Sequence, residues 1–150
     1  MENLHGTWFE VKVRCFDGKS KRQPRLEYAV DAMTWSEAEA RSLQGIREDY
    51  EDFILEDIKK SQYQTIILDS EESVGTDDEC SFYKVKVNFQ DLSTSGKLKK
   101  VPQTFLVEAE TIKDAPVILA DYLREIGNAL PYEQVSVQRT KIYNIIKREE

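Results

Sequence analysis

Two stretches of the 150-residue chain set aromatic rings and cations at alternate positions. In residues 8–16, Trp8, Glu10, Lys12, Arg14 and Phe16 fall on one side, and Phe9, Val11, Val13 and Cys15 on the other. In residues 82–89, Phe82, Lys84, Lys86 and Asn88 share one side, and Tyr83, Val85, Val87 and Phe89 the other. Period-two alternation is that of a half-buried strand, so the apolar side is expected against a core and the mixed side open to solvent. Each stretch runs on into a basic loop region, with Lys19, Lys21, Arg22 and Arg25 in the first case and Lys97, Lys99 and Lys100 in the second. Open rings can stack on unpaired bases at about 1–3 kcal/mol per base, while neighbouring lysine and arginine neutralise phosphates. Trp8, Phe16 and Phe82 are therefore the expected stacking residues, and Lys12, Arg14, Lys84, Lys86 and the two basic loops the expected phosphate contacts. The blander reading of the same residues is a pair of solvated turns and an aromatic face that docks a second protein.

The other residues capable of chemistry point away from catalysis. His5 is the only histidine and falls in what reads as a frayed N-terminus, which argues against a histidine triad or a multi-histidine metal site. Cys15 lies on the core side of its strand, where thiols are inert, and Cys80 sits beside acids that disfavour a thiolate. Glu10-Val11-Lys12 has the Glu-x-Lys form of a metal-dependent nuclease strand, but the counterpart Lys84-Val85-Lys86 lacks the acid. Asp77, Asp78 and Glu79 lack the spacing of a calcium loop. The six glycines form neither a P-loop nor a dinucleotide motif. The expectation is a nonenzymatic protein without cofactor or metal.

The elements that carry these residues recur. Trp8–Val13 matches Phe82–Val87 at an offset of 74, Val30-Asp31-Ala32 matches Val107-Glu108-Ala109 at 77, and Ile66-Ile67 matches Ile145-Ile146 at 79. Ordered matches with a slowly growing offset are what duplication with loop growth leaves behind. Each repeat reads β-β-α-β-β. The first has strands near 8–16 and 26–33, a helix of about 35–48, and strands near 53–59 and 63–68. The second has a helix of about 112–127 and strands near 133–139 and 142–147. Thr34 with Glu37 forms a capping box, and Thr111 with Asp114 a weaker one. Pro116 is tolerated only in a first helical turn, so the second helix is free to begin as late as Asp114. The expected fold is α+β: one domain of two repeats, about 7–68 and 82–148, joined by an acidic linker at 69–81. Its antiparallel sheet carries both helices on one face, with pseudo-twofold symmetry.

Composition sets the outer bounds. Forty per cent hydrophobic and 33% charged residues suit a globular domain, and no apolar run reaches the ~20 residues of a membrane span. Neither a secretory signal nor a disulfide framework is apparent, so free thiols and a reducing, cytoplasmic setting are expected. The net charge of −7 is concentrated: residues 48–57 and 69–79 hold six acids each and no base. The remainder is mildly basic, so net charge does not exclude a nucleic-acid partner.

The segments Trp8–Val13, Val30–Glu39, Asp57–Ile66 and Phe82–Lys86 together resemble a domain-of-unknown-function family of small proteins from Bacteroides-type bacteria and their tailed phages. Its members open on a W-F-x-x-K-V-like strand. They continue through V-D-A-x-(S/T)-x-x-E-A-E and D-I-K-(K/R)-x-x-Y-x-x-I, then begin a second copy on (W/F)-Y-K-x-K. The resemblance spans nearly the whole chain, and the linker here is longer and more acidic than is usual in it. Association with phage replication genes implies a single-stranded DNA-binding role; it implies no particular functional residue. Two alternatives stand beside that role: a protein-interaction module, as a homodimer or with a replication-protein partner, and a binder of a small ligand such as a nucleotide between the repeats.

Overall fold

The helix starts are fixed by local chemistry. Thr34 Oγ1 accepts from the Glu37 N–H at 3.2 Å, and Glu37 Oε2 accepts in return from the Met33 N–H at 3.2 Å. Two N–H groups near the helix start are thereby satisfied. In the second helix Thr111 Oγ1 accepts from the Asp114 N–H at 3.2 Å, and the helix begins at Asp114, which leaves Pro116 within its first turn. It ends in a Schellman arrangement. Gly127, at φ 73°, donates to the Arg124 carbonyl, and Asn128 donates to that of Leu123.

The computed structural model describes residues 2–16, 24–68, 80–92 and 95–147. Within them the elements are β1 (Glu2–His5), β2 (Trp8–Phe16), β3 (Arg25–Asp31), α1 (Trp35–Arg47), β4 (Asp52–Lys60) and β5 (Tyr63–Leu68). There follow β6 (Ser81–Leu92), β7 (Leu98–Ala109), α2 (Asp114–Glu125), β8 (Tyr132–Arg139) and β9 (Ile142–Ile146). The architecture is mixed α+β, with two helices and two mostly antiparallel sheets rather than the single sheet expected. The chain divides into two compact units. One holds the sheet β1-β5-β7-β6-β8 with α2 packed on it; the other holds β4-β2-β3-β9 with α1.

Each sheet includes one parallel pair, β5 with β7 and β3 with β9. The cause is visible in Tyr63–Leu68. Five of its six residues are buried, so neither face can be left to solvent. A strand buried on both faces belongs in a sheet interior, and β5 lies between β1 and β7. Residues 2–5, read above as frayed, form edge strand β1 antiparallel to β5, with His5 opposite Thr65.

In the first unit, Tyr83, Val85, Val87 and Phe89 of β6 and Phe105 and Val107 of β7 pack against Ile118, Leu119 and Tyr122 of α2. In the second, Val11, Val13 and Cys15 of β2 pack with Tyr28, Val30 and Ile46. Helix α1 approaches β9 so closely that a Cβ at Gly45 would lie 2.8 Å from Ile146 Cδ1. Both outer strands β4 and β8 carry a bulge, between Lys12 and Val13 of the partner in one case and between Lys86 and Val87 in the other. Bulges on edge strands discourage edge-to-edge association.

Candidate nucleic-acid interface

The expected stacking residues divide. Trp8 and Phe82 are only 1% and 2% exposed, so neither can receive a base as the chain is folded. Alternation misled here because the first half of each strand is covered on both sides. Trp8, Phe9, Glu10 and Val11 are buried in succession, as are Phe82 and Tyr83. Phe16, at the far end of β2, is half-buried. Lys19, Lys21 and Arg22 lie outside the described residues, as does most of the acidic linker.

The cations of the β2 face are not free for phosphate. Lys12 pairs with Glu27 on β3 at 3.7 Å. Arg14 pairs with Glu56 at 3.0 Å, and Arg25 reaches the same carboxylate at 3.3 Å. Glu27 stands directly opposite Lys12 in the β2–β3 register, while Asp52 and Asp57 of β4 stand opposite Phe16 and Lys12. This face is a lattice of alternating charge. Glu10, the acid of the Glu-x-Lys triplet, is buried, and no group of three or more His, Cys, Asp or Glu among the described residues could hold a metal ion.

The β6 face differs. Lys84, Lys86, Asn88 and Gln90 line up along the strand, with Thr104, Pro102 and Lys100 of β7 beside them and Gln138, Ser136 and Glu133 of β8 on the other flank. Lys84 lies over the Tyr63 ring, 5.8 Å from its centroid. Lys86, Lys99 and Lys100 are exposed and form no ion pair among the described residues. Beyond them the β6–β7 hairpin exposes Leu92 and Leu98, which stand opposite each other near its tip. Lys97 belongs to this hairpin as well. The geometry thus brings Lys84, Lys86 and Lys100 onto one acid-poor strip and places Lys99 on the reverse of the same arm.

Two features escaped the sequence. The acids that neutralise β2 come from β3 and β4; Arg25-x-Glu27 at a hairpin base could have signalled the first, whereas Glu56 reaches its partners from a bulged strand. His5 is also built in, with Nδ1 3.1 Å from Thr65 Oγ1 and Nε2 3.4 Å from Tyr122 Oη. Cys15 is fully buried, and burial first, then the Asp49 carboxylate, pushes its thiol above the usual range. The Tyr28 hydroxyl, which donates to Asp49 Oδ2 at 3.5 Å, is pushed up chiefly by burial as well. These groups are held as neutral core members rather than poised for proton transfer.

Among the described residues, no helix is long and apolar enough to cross a membrane. No curated protein matches the chain. One family model, described as Domain of unknown function (DUF4494), matches residues 7–148, nearly the full length, and the chain belongs to that family.

Proposed function

We propose that this chain is a nonenzymatic nucleic-acid-binding protein that holds single-stranded DNA by its phosphates along the β6 face and the β6–β7 arm. The observation that carries the reading is the contrast between the two strand faces: acids neutralise the cations of β2, while Lys86 and Lys100 stand exposed among amides and hydroxyls. A narrow basic strip on an acidic protein suits a flexible strand better than a rigid duplex. The duplex carries a charge per ~1.7 Å of axis, more than a strip of so few lysines can neutralise. With Trp8 and Phe82 buried, affinity rests on lysines and depends steeply on salt. A bacterial or phage replication setting, implied by the resemblance above, fits such a protein.

The internal duplication belongs to the same proposal. It is supported by the shared strand order, β4-β2-β3-β9 against β8-β6-β7-β5. It is supported also by bulges that face Lys12/Val13 in one sheet and Lys86/Val87 in the other, the same pairs that match at an offset of 74. In this reading only one of the two copies kept a cationic face.

The test is fluorescence anisotropy with a labelled single strand of about 30 nucleotides at low and moderate salt, with duplex as competitor. Binding should weaken along a log–log salt slope. Lys86→Gln with Lys100→Gln should lower both affinity and slope, and Lys12→Gln should change neither. Absence of binding at low salt and micromolar protein refutes the proposal. The exposed Leu92–Leu98 pair favours the second reading, a protein-docking module, and a salt-resistant self-association lost in Leu92→Ser would support that instead.

A further inference from the structure

Strand β5 has a neighbour on each side: β7 runs parallel to it, and β1 runs antiparallel along its other edge. At the end of β1, His5 reaches the Tyr122 hydroxyl of α2 at 3.4 Å. In the other unit β9 likewise runs parallel to its neighbour, β3, but no strand among the described residues pairs with its outer edge. Such an edge offers a row of backbone N–H and C=O groups to any extended chain that reaches it. A groove of about 390 Å³ runs between this strand and the second half of α1, and all its described lining residues belong to the same unit.

The groove has a cationic end and an acidic end. Val30 stands beside Ile146 in the β3–β9 register, so Asp31 and Lys147 follow side by side, and the Asp31 carbonyl accepts from Arg41. Arg41 and Lys147 therefore share one end of the lining. Glu37 pairs with Arg41 from behind; neither it nor Asp31 lines the groove. Tyr28 stands beside Asn144, and its hydroxyl donates to Asp49 at 3.5 Å. Asp49 and Glu48 therefore share the other end, where the C-terminus of α1 adds partial negative charge. The ends are roughly 10 Å apart, whether measured along the strand from Asn144 to Lys147 or along the helix from Arg41 to Glu48.

We infer that the β9 edge and this groove dock an extended segment of another protein. The segment runs antiparallel to β9, as β1 runs to β5, with an acidic residue towards its N-terminal end and a basic one towards its C-terminal end. In that direction the acid meets Arg41 and Lys147, and the base meets Glu48 and Asp49. Placed four positions apart, about 13 Å of extended backbone, the two charged side chains leave the strand on one face, and their own length closes the difference. Main-chain hydrogen bonds hold such a strand, and the charges select it. The site lies in the unit that does not carry the lysine strip and does not rest on the nucleic-acid reading.

The test uses two blocked pentapeptides of one composition, acetyl-Glu-Val-Thr-Val-Lys-amide and acetyl-Lys-Val-Thr-Val-Glu-amide, titrated into the ¹⁵N-labelled full chain and followed by amide shifts. Saturable shifts confined to β9 and the second half of α1 are expected for the first peptide. It should bind about fivefold more tightly than the second, the scale of an exposed charge pair. Lys147→Glu combined with Glu48→Lys leaves one charge of each sign at either end and should erase that preference; both positions are exposed, so the fold should survive. Non-saturating shifts, equal affinity of the two peptides for the unaltered chain, or a preference unchanged in the double variant would overturn the inference. Shifts in β9 that grow with protein concentration alone would assign the edge to a second copy and overturn it as well.

Discussion

Replacing Gly45 by alanine sets two effects of known size against each other. Inside an exposed helix the change stabilises by about 0.8–1.0 kcal/mol, because glycine has more backbone freedom to lose. Here the added Cβ would lie 2.8 Å from Ile146 Cδ1, 3.1 Å from Cγ2 and 3.2 Å from Cγ1. All three atoms belong to one β-branched side chain on β9, whose backbone is held in register with Val30. Rotation about χ2 moves Cδ1 away, but stiffness at χ1 keeps Cγ1 and Cγ2 near the new methyl. Overpacking of this kind costs about 1–3 kcal/mol, so the net effect should be a loss of roughly 1 kcal/mol. In an Ile146→Ala background the clash is gone, and the same substitution should recover the full helix gain. The coupling between the two sites should therefore be roughly 2 kcal/mol, well above the error of a double-mutant cycle. Urea denaturation followed by tryptophan fluorescence measures it. A Gly45→Ala variant that is stabilised equally in both backgrounds would refute the close approach of α1 to β9.

Trp8→Ala should destabilise by about 3–5 kcal/mol, the cost of truncating a fully buried ring, and Phe16→Ala by much less; comparable losses would show that Trp8 is not core. Glu56→Gln, which removes the shared partner of Arg14 and Arg25, should change stability by less than about 1 kcal/mol, since these are surface pairs. On the proposed reading it should also raise low-salt affinity for single-stranded DNA, and unchanged anisotropy curves would count against that. Because the folded thiol of Cys15 is pushed up, the unfolded thiol ionises first as pH rises. Unfolding free energy should therefore fall from about pH 8.5 upward, less so in Cys15→Ala, as urea midpoints across the alkaline range would show. A thiol reagent should modify the half-buried Cys80 in the native protein and Cys15 only on unfolding.

Elements with a local cause were legible in the sequence. The Thr34–Glu37 box and the Thr111–Asp114 start come from hydrogen bonds within one turn, and period-two alternation marked β2 and β6. Pairing was not legible, because it depends on which sheet a strand must join to lose its exposed surface. The strand near 63–68 was expected in an antiparallel sheet; burial on both faces sends Tyr63–Leu68 into the interior of its sheet, parallel to β7. The same blindness affected the candidate site. Lys12 and Lys86 are indistinguishable as alternating lysines, and only the cross-strand neighbours, Glu27 for one and Thr104 and Ser136 for the other, make one face neutral and the other basic.

The parallel pairing of β9 with β3 also governs when the second unit can be completed. Its sheet begins at Trp8 and is closed by Ile142–Ile146, so a ribosome must have made everything up to β9 before β3 gains its outer neighbour. Until then Tyr28, Ala29 and Val30 line an open edge, while β6, β7 and α2 can already associate through contacts near in sequence. Assembly during synthesis is therefore expected to run out of chain order: β6, β7 and α2 pack before the sheet that opens at Trp8 receives its last strand, β9.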